Sequence, residues 1–447
     1  MRVPRSGRIG RSVSTARALA LAAAGLSLMV PTLGATTASA TTSGLPLGIQ
    51  ASANNPVTNF VQYVGGTAGK ANPKLSTVEL EYINQQGGSS DMAPETINGA
   101  LVAAKYLNNQ VGGIDGHPVK LVTCAIADTV SQAATCGQGF ANNKNVTVAG
   151  VGDVAIGNQA LEAAVAPTKK PLVFLIAGSN SDDLYKPGYA LYGDGTHVEA
   201  PWATFFKNHL HVKTVALINQ DLPGTGLAVT ITRDALEYDG MKVKIANYDP
   251  SQTDLTAPLT AAGARTADIL LADVYTNSAC ADLYSTLKQL SITTPVAVNI
   301  PCADPQVAQS DGGKLPPWYY AVATATSLDP TNKAGNKLNA ILRTYGAGKY
   351  VGDPWVQDSF GQMLTMAKWE TSILKSGGKI DPASVARTAT AFKGPLVFGA
   401  PNLVCGTIKS APAVCNDEVS YFKAVNGVFH PVARWQAPPK GFVVPAG

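Results

Sequence analysis

The sequence predicts an α/β fold built from two open, mainly parallel sheets, and three observations carry this. Short runs rich in Val, Ile and Leu alternate with helical patterns from Val78 onward, the order that gives parallel sheets with crossover helices. The runs do not alternate strictly between apolar and polar residues, as expected for strands covered on both faces. The string Asn108–Val122, NNQVGGIDGHPVKLV, compresses one helix-to-strand step into a few residues. The pattern Ile97, Leu101, Ala104, Leu107 ends at Asn108-Asn109-Gln110. Gly112-Gly113 then supplies a stop that satisfies orphan carbonyls. Ile114 is an apolar anchor, Asp115-Gly116 reverses the chain, and Val119, Leu121 and Val122 open a strand.

The chain begins with a basic, then apolar, segment. Arg2, Arg5, Arg8, Arg11 and Arg17 precede the apolar run Ala18–Val30, and Ala38-Ser39-Ala40 is an A-x-A site. Residues 1–40 therefore have the form of an export signal peptide, too short in its apolar part to span a bilayer comfortably. No cysteine lies there to be acylated, so a lipoprotein is not expected, and no adjacent arginine pair points to twin-arginine export. The full chain has a formal net charge of +4, and the signal holds five arginines and no acid, so the remainder sums to −1. That leaves no basic patch suited to nucleic acid. Localisation is expected in the periplasm, the cell envelope or outside the cell.

Six cysteines remain, an even number in an exported chain. Their grouping as Cys124/Cys136, Cys280/Cys302 and Cys405/Cys415 favours three local bridges. A zinc site is disfavoured, because no C-x-x-C occurs and no histidine sits near a cysteine group. No metal or other cofactor is expected.

Residues 41–74 are rich in Gly, Ala, Asn, Thr and Pro and are expected to form an irregular extension. Candidate strands follow at Val78–Ile83, Val119–Cys124, Val146–Gly150, Leu172–Ile176, Thr214–Ile218, Val243–Ala246, Ile269–Val274 and Val296–Ile300. The best helical patterns between them are Glu95–Asn109, Ser131–Ala141, Gln159–Ala166, Glu199–His209, Ala228–Tyr238 and Ala281–Leu290. About four units fall on each side of Tyr189–Gly193, and two sheets are more usual than one very wide one. After Tyr319 come helices at Asn336–Tyr345 and Trp355–Leu374, then Gly394–Phe398, a cysteine-closed hairpin and a strand-rich tail.

No enzyme motif survives inspection. Gly150-Val-Gly152-Asp-Val-Ala155 fits G-x-G-x-x-A loosely, but no acid stands near the end of the next strand to hold a ribose. Gly69-Lys70 fails the phosphate-loop pattern on both sides. Ser376-Gly-Gly-Lys379 matches S-x-x-K without its companion motifs and sits at a helix stop. His209-x-His211 reads as a solvated helix end. Small ligands of open α/β sheets bind outside the carboxyl ends of the strands, and those loops are polar here. In the first half they hold Gln86 and Ser89, Asp153, and Ser179-Asn180-Ser181. In the second half they hold Thr225, Tyr275 and Asn277, and Asp304. Such residues also cap helices, and for any one of them the two readings stand side by side.

The Asn108–Gly116 string resembles the N-x-x-G-G-I-x-G signature of the type I periplasmic binding proteins, the substrate receptors of branched-chain amino acid and amide ABC importers. The resemblance extends over Leu75–Pro439. Cys124 and Cys136 flank the second helix as in many such receptors. Phe140–Gly150 resembles the family's helix-then-strand step, Leu172–Leu184 its ligand-holding segment, Asp221–Gly226 its Y-G-x-G loop, and Asp358-Ser-Phe-Gly its Y-D-A helix start. It implies two Rossmann-like lobes joined by a hinge of several segments, with lobe 1 at 75–192 and 320–395 and lobe 2 at 193–319 and 396–447. It further implies that Ser179, Asn180 and Ser181 bind ligand from one lobe and Tyr275 and Asn277 from the other. The expected protein is a monomeric, non-enzymatic receptor. It traps an amino acid, amide or small organic acid by hinge closure and delivers it to a membrane permease. Two departures leave the ligand open: Asp153-Val154-Ala155 offers no hydroxyl for a carboxylate, and Cys302 stands where an acid would pair an ammonium, leaving Asp304 nearby. The alternatives are a non-transport sensor of the cell envelope and an exported hydrolase.

Overall fold

The computed structural model describes residues 57–88, 93–154, 156–221, 225–274, 277–303, 305–324 and 329–444. The expected signal peptide lies outside them. Within the first half, helices α1 (Phe60–Val64), α2 (Thr96–Gln110), α3 (Val130–Asn142), α4 (Asn158–Val165) and α5 (Asn180–Leu184) intersperse with strands β1 (Val78–Gln85), β2 (Val119–Ile126), β3 (Val146–Val151), β4 (Leu172–Phe174) and β5 (Gly188–Ala190). These strands form an all-parallel sheet in the order β2-β1-β3-β4-β5. The second half contributes α6 (Pro201–Phe205), β6 (Thr214–Gln220), α7 (Thr225–Tyr238), β7 (Lys242–Tyr248), α8 (Thr256–Ala262), β8 (Ile269–Asp273), α9 (Asn277–Gln289), β9 (Val296–Asn299), α10 (Pro305–Ser310) and β10 (Tyr319–Val322). Helices α11 (Lys333–Thr344), α12 (Pro354–Lys375) and α13 (Pro382–Ala391) follow, and the chain closes with β11 (Val419–Val425) and β12 (Val428–Gln436). The second sheet runs β12-β11-β10-β9-β8-β6-β7, with only β11 and β12 antiparallel to their neighbours.

All eight expected strands are present, extended or trimmed by one or two residues at most of their ends. The Asn108–Val122 step folds as the residues dictate. Gly112, Gly113, Asp115 and Gly116 all take positive φ. Ile114 is fully buried. The Asn108 side chain both donates to Val119 O and accepts from Val119 N, each at 2.7 Å, tying the helix end to the strand start. The expected helix Glu199–His209 is broken into a 3-10 turn (His197–Glu199), α6, and a π-type turn (Phe206–Leu210). Pro201, which lacks an N–H and suits a first helical turn, fixes the start of α6.

The lobe boundaries differ from the expected ones in three places, each for a packing reason. Within the expected irregular extension, α1 is a capped helix whose Phe60, Tyr63 and Val64 are buried in the first lobe's core. Lys368 and Lys375 of α12 reach its Tyr63 and Gly65 carbonyls. β10 pairs with β9, so the chain returns to the first lobe after Val322 rather than at 320. The segment from Leu396 through Cys415 packs into the first core rather than the second. Its Ala413 and Cys415 bond to both sides of Ala190 on β5. Gly394–Phe398 forms no strand.

The long helix α12 is the keel of the first lobe. Phe360, Met363, Leu364, Met366 and Ala367 are completely buried. Gly99 of α2 permits its close approach, since a Cβ there would lie 2.1 Å from Ser359 Oγ. Gln362 turns inward and donates to the Val151 and Val173 carbonyls at 3.1 and 2.6 Å, fixing the helix beneath β3 and β4. The three expected cysteine pairs lie at bonding distance, at 1.97, 2.06 and 2.02 Å.

Three outcomes follow from this architecture. Gly113→Ala forces a Cβ to within 2.1 Å of His117 O at a positive φ, and urea unfolding will show a loss of more than about 1 kcal/mol. Gly139→Ala, on the open face of α3 with nothing within 4 Å, will gain about 0.4–1 kcal/mol. A non-reduced tryptic digest will link 124 to 136, 280 to 302 and 405 to 415 by mass spectrometry, with no free thiol.

Candidate functional site

The connections between the sheets decide where a site can lie. The first leaves the carboxyl end of β5 through Gly193–Thr196. The second leaves the carboxyl end of β10 towards α11. The third, Asn416–Glu418, enters β11, which runs against the parallel strands and so begins at their carboxyl edge. All three crossings therefore meet both sheets at their carboxyl ends. The loops that bind ligands in open α/β sheets are thus brought to the same gap from both sides.

On the first lobe, β1 ends in Asn84 and Gln85, both fully buried. Asn84 Nδ2 donates to Gln86 Oε1 at 3.1 Å, and Gln85 Oε1 accepts from Ile156 N at 3.2 Å. Gln86 is half-buried just past the strand, and Asp153 is buried just past β3. Ser179 caps α5, accepting from Asp182 N at 3.3 Å, and its Oγ lies 3.0 Å from Ser181 Oγ. Ser179, exposed Asn180 and Ser181 line a cavity of about 740 Å³ with Gly157–Ala160 at the start of α4. Gln86 and Asp153 do not line it. The structure thus divides the first-lobe candidates into two groups.

On the second lobe, Thr225 is buried, and its hydroxyl donates back to Gln220 O at 3.2 Å, closing its own loop. Asn277 opens α9. Ser89, Tyr275 and Asp304 lie outside the described residues. Sequence reasoning passed over a buried polar group beneath this edge. Asn299 Nδ2 donates to Glu199 Oε1 and Asp273 Oδ1, both at 3.1 Å, and Asn219 Nδ2 donates to Asn247 Oδ1 at 3.2 Å. A signal for part of it was present: β1 and β6, the first strand of each sheet, both end in Ile-Asn-Gln, at Ile83–Gln85 and Ile218–Gln220. Amides where apolar strand residues are expected mark buried hydrogen-bonding positions.

The periplasmic binding protein family profile matches residues 83–409. The chain belongs to that family. Among solved structures, a putative branched-chain amino acid ABC transporter protein from Rhodospirillum rubrum matches at 15% identity and a TM-score of 0.64. The match covers 80% of this chain and all of that one. A branched-chain amino acid substrate-binding protein of Streptococcus pneumoniae, solved with isoleucine, matches at 16% and 0.57, covering 80% and 100%. An R. palustris solute-binding protein solved with benzoate matches at 11% and 0.55, covering 81% and 97%. No curated protein matches the chain. The family is one of solute-binding proteins rather than enzymes. Among the described residues, no helix is long and apolar enough to cross a membrane and no group of three or more acidic, His or Cys side chains could hold a metal.

This periplasmic binding protein buries several carboxyls around the crossings and the first-lobe loops. Glu162 is pushed up to about 9 by burial and by Asp182 alongside it. Asp182 is raised by burial, which outweighs its hydrogen bonds from Asn158 at 2.7 Å and Gly178 N at 2.8 Å. Asp183 is pushed up to about 9 by burial and by Asp194 and Asp182. Glu199 is raised by burial and by Asp273. The first crossing also carries an ion pair, Asp194 with His197, at 2.6 Å. Burial opposes both charges. Their mutual attraction and the bonds Asp194 accepts outweigh it, lowering the pKa of Asp194 and raising that of His197.

The raised carboxyls fix the sign of the pH dependence. Between about pH 4, where unfolded carboxylates titrate, and about 9, the folded chain holds protons that the unfolded chain releases, so stability falls as pH rises. His197 adds to this decline above about pH 6.5. Asp194 acts only at the acid end, where its contribution is lost as pH falls below about 4. The melting temperature at pH 5 will exceed that at pH 8.5, and Glu162→Gln will flatten the difference. Thermal denaturation across this range measures it.

Proposed function

We propose that this chain is an exported receptor that traps a small polar metabolite, an amino acid, amide or small organic acid, between its two lobes and hands it to an ABC importer. The observation that carries this reading is the convergence of three crossings at the carboxyl ends of both sheets. That arrangement supports a gap whose walls separate and approach as the lobes rotate. Gln86 and Asp153 are the proposed contacts from the first lobe, joined by Ser179, Asn180 and Ser181 on closure. Thr225, Tyr275, Asn277 and Asp304 are the proposed contacts from the second. The amides and acids at these strand ends suit a ligand with both donors and acceptors.

Closure needs no chemistry. Ligand bound to both walls stabilises the closed form by its differential affinity for it, and the permease would read that form. Family membership supports a solute-binding role. The same fold holds isoleucine in one solved protein and benzoate in another, so the ligand class rests on this chain's own residues. A thermal-shift screen of amino acids, amides and short carboxylic acids tests the proposal. A true ligand at a hundred times its dissociation constant will add about 2.7 kcal/mol. Gln86→Ala and Asp153→Asn will each weaken it by about tenfold or more, the cost of a hydrogen bond to a charged group. Failure of the whole panel, or full affinity in both variants, would refute it.

A further inference from the structure

A second cavity, of about 840 Å³, lies beside the hinge and away from the candidate residues at the strand ends. Its walls come from three parts of the fold. Thr407–Ser410 belong to the ribbon between Cys405 and Cys415, which is bonded to β5 of the first lobe. Ala437–Val444 form the tail after β12, whose Phe442 and Val444 pack into the second lobe's core. Tyr238 of α7 anchors this tail, meeting the Phe442 ring edge-on at 5.6 Å and donating to Lys440 O at 3.2 Å. His197 and Asp417, from the first and third crossings, close the remaining side.

The lining is divided chemically. Pro438, Pro439, Phe442 and Val444 give it an apolar body, and exposed Lys409 and Lys440 come to it from the ribbon and from the tail. His197 is 3% exposed. Its backbone N–H and Nδ1 are both engaged by Asp194, at 2.7 and 2.6 Å, which locks the ring, while Nε2 is buried with no hydrogen-bond partner. With Nδ1–H held by a carboxylate, Nε2 carries an N–H in want of an acceptor whenever the ring is protonated, the form that Asp194 favours. A buried donor left unpaired is costly. Asp417, the one acid among the described lining residues, is raised by burial.

We propose that this cavity is a second ligand site, for an organic carboxylate with an apolar body, whose carboxylate is received by Lys409 and Lys440 beside the wall that His197 closes. The site is separate from the strand-end gap. Because its walls belong to both lobes and to two crossings, its occupancy and the lobe angle are linked reciprocally.

The test uses the whole mature chain and octanoate bearing a terminal diazirine, with the matching octylammonium as a cationic control. After irradiation and digestion, the carboxylate probe should label peptides covering 405–415 or 437–444, and the ammonium probe should label them far less. Lys409→Glu with Lys440→Glu, two exposed positions that leave the core intact, should cut labelling by at least about tenfold. Gln86→Ala should leave it unchanged. Labelling confined to peptides of the strand-end loops, equal labelling by both probes, or labelling that survives the double reversal would each overturn the proposal.

Discussion

The direction of the strands is the constraint on which the rest of the molecule depends. A parallel sheet gathers all its carboxyl ends along one edge, and a chain that crosses between two such sheets at those ends makes the edges face each other. Here the first two crossings leave β5 and β10, and the third arrives at an antiparallel strand, so no connection pulls the edges apart. The polar strand ends are buried, and the carboxyls near the crossings share that low-dielectric setting. The raised protonation of Glu199 and Asp183 is an electrostatic consequence of topology as much as of sequence.

Helix α12 belongs to the same argument. It arrives after the second crossing, yet its Gln362 holds carbonyls on β3 and β4. Asp358, one turn earlier, is a fully buried acid with Thr324, at the end of β10, among its hydrogen-bond partners. One rigid helix thus touches both the sheet that carries half of the candidate site and the second connection between the lobes. Packed helices have discrete arrangements rather than continuous ones, which suits a molecule that works between two states.

Much of the scaffold was legible because burial on both faces leaves a strand little choice but Val, Ile and Leu. The Asn108–Val122 step was legible because a reversal in so few residues needs glycine. What was not legible was held by distant contacts. The five residues of α1 carry no periodicity of their own and are fixed by lysines more than three hundred positions away. The 396–415 segment looks, by chain order, like part of the second lobe, and only its bonds to Ala190 place it in the first. At the site, the polar loops were visible as composition. Their division was not, because whether Ser179 caps a helix or faces a ligand is settled by the path of α5. The paired Ile-Asn-Gln endings were in plain view and needed only the recognition that two strands occupy equivalent places.

The ribbon between Cys405 and Cys415 has one more consequence. β5 is the outermost strand of its sheet, and such a strand offers bare amides and carbonyls to any extended chain that drifts past. Ala190 spends both of its backbone groups on Ala413 and Cys415, and a covalent staple keeps that ribbon from peeling away. The ribbon thereby hides one seam along which copies of the chain would otherwise zip together.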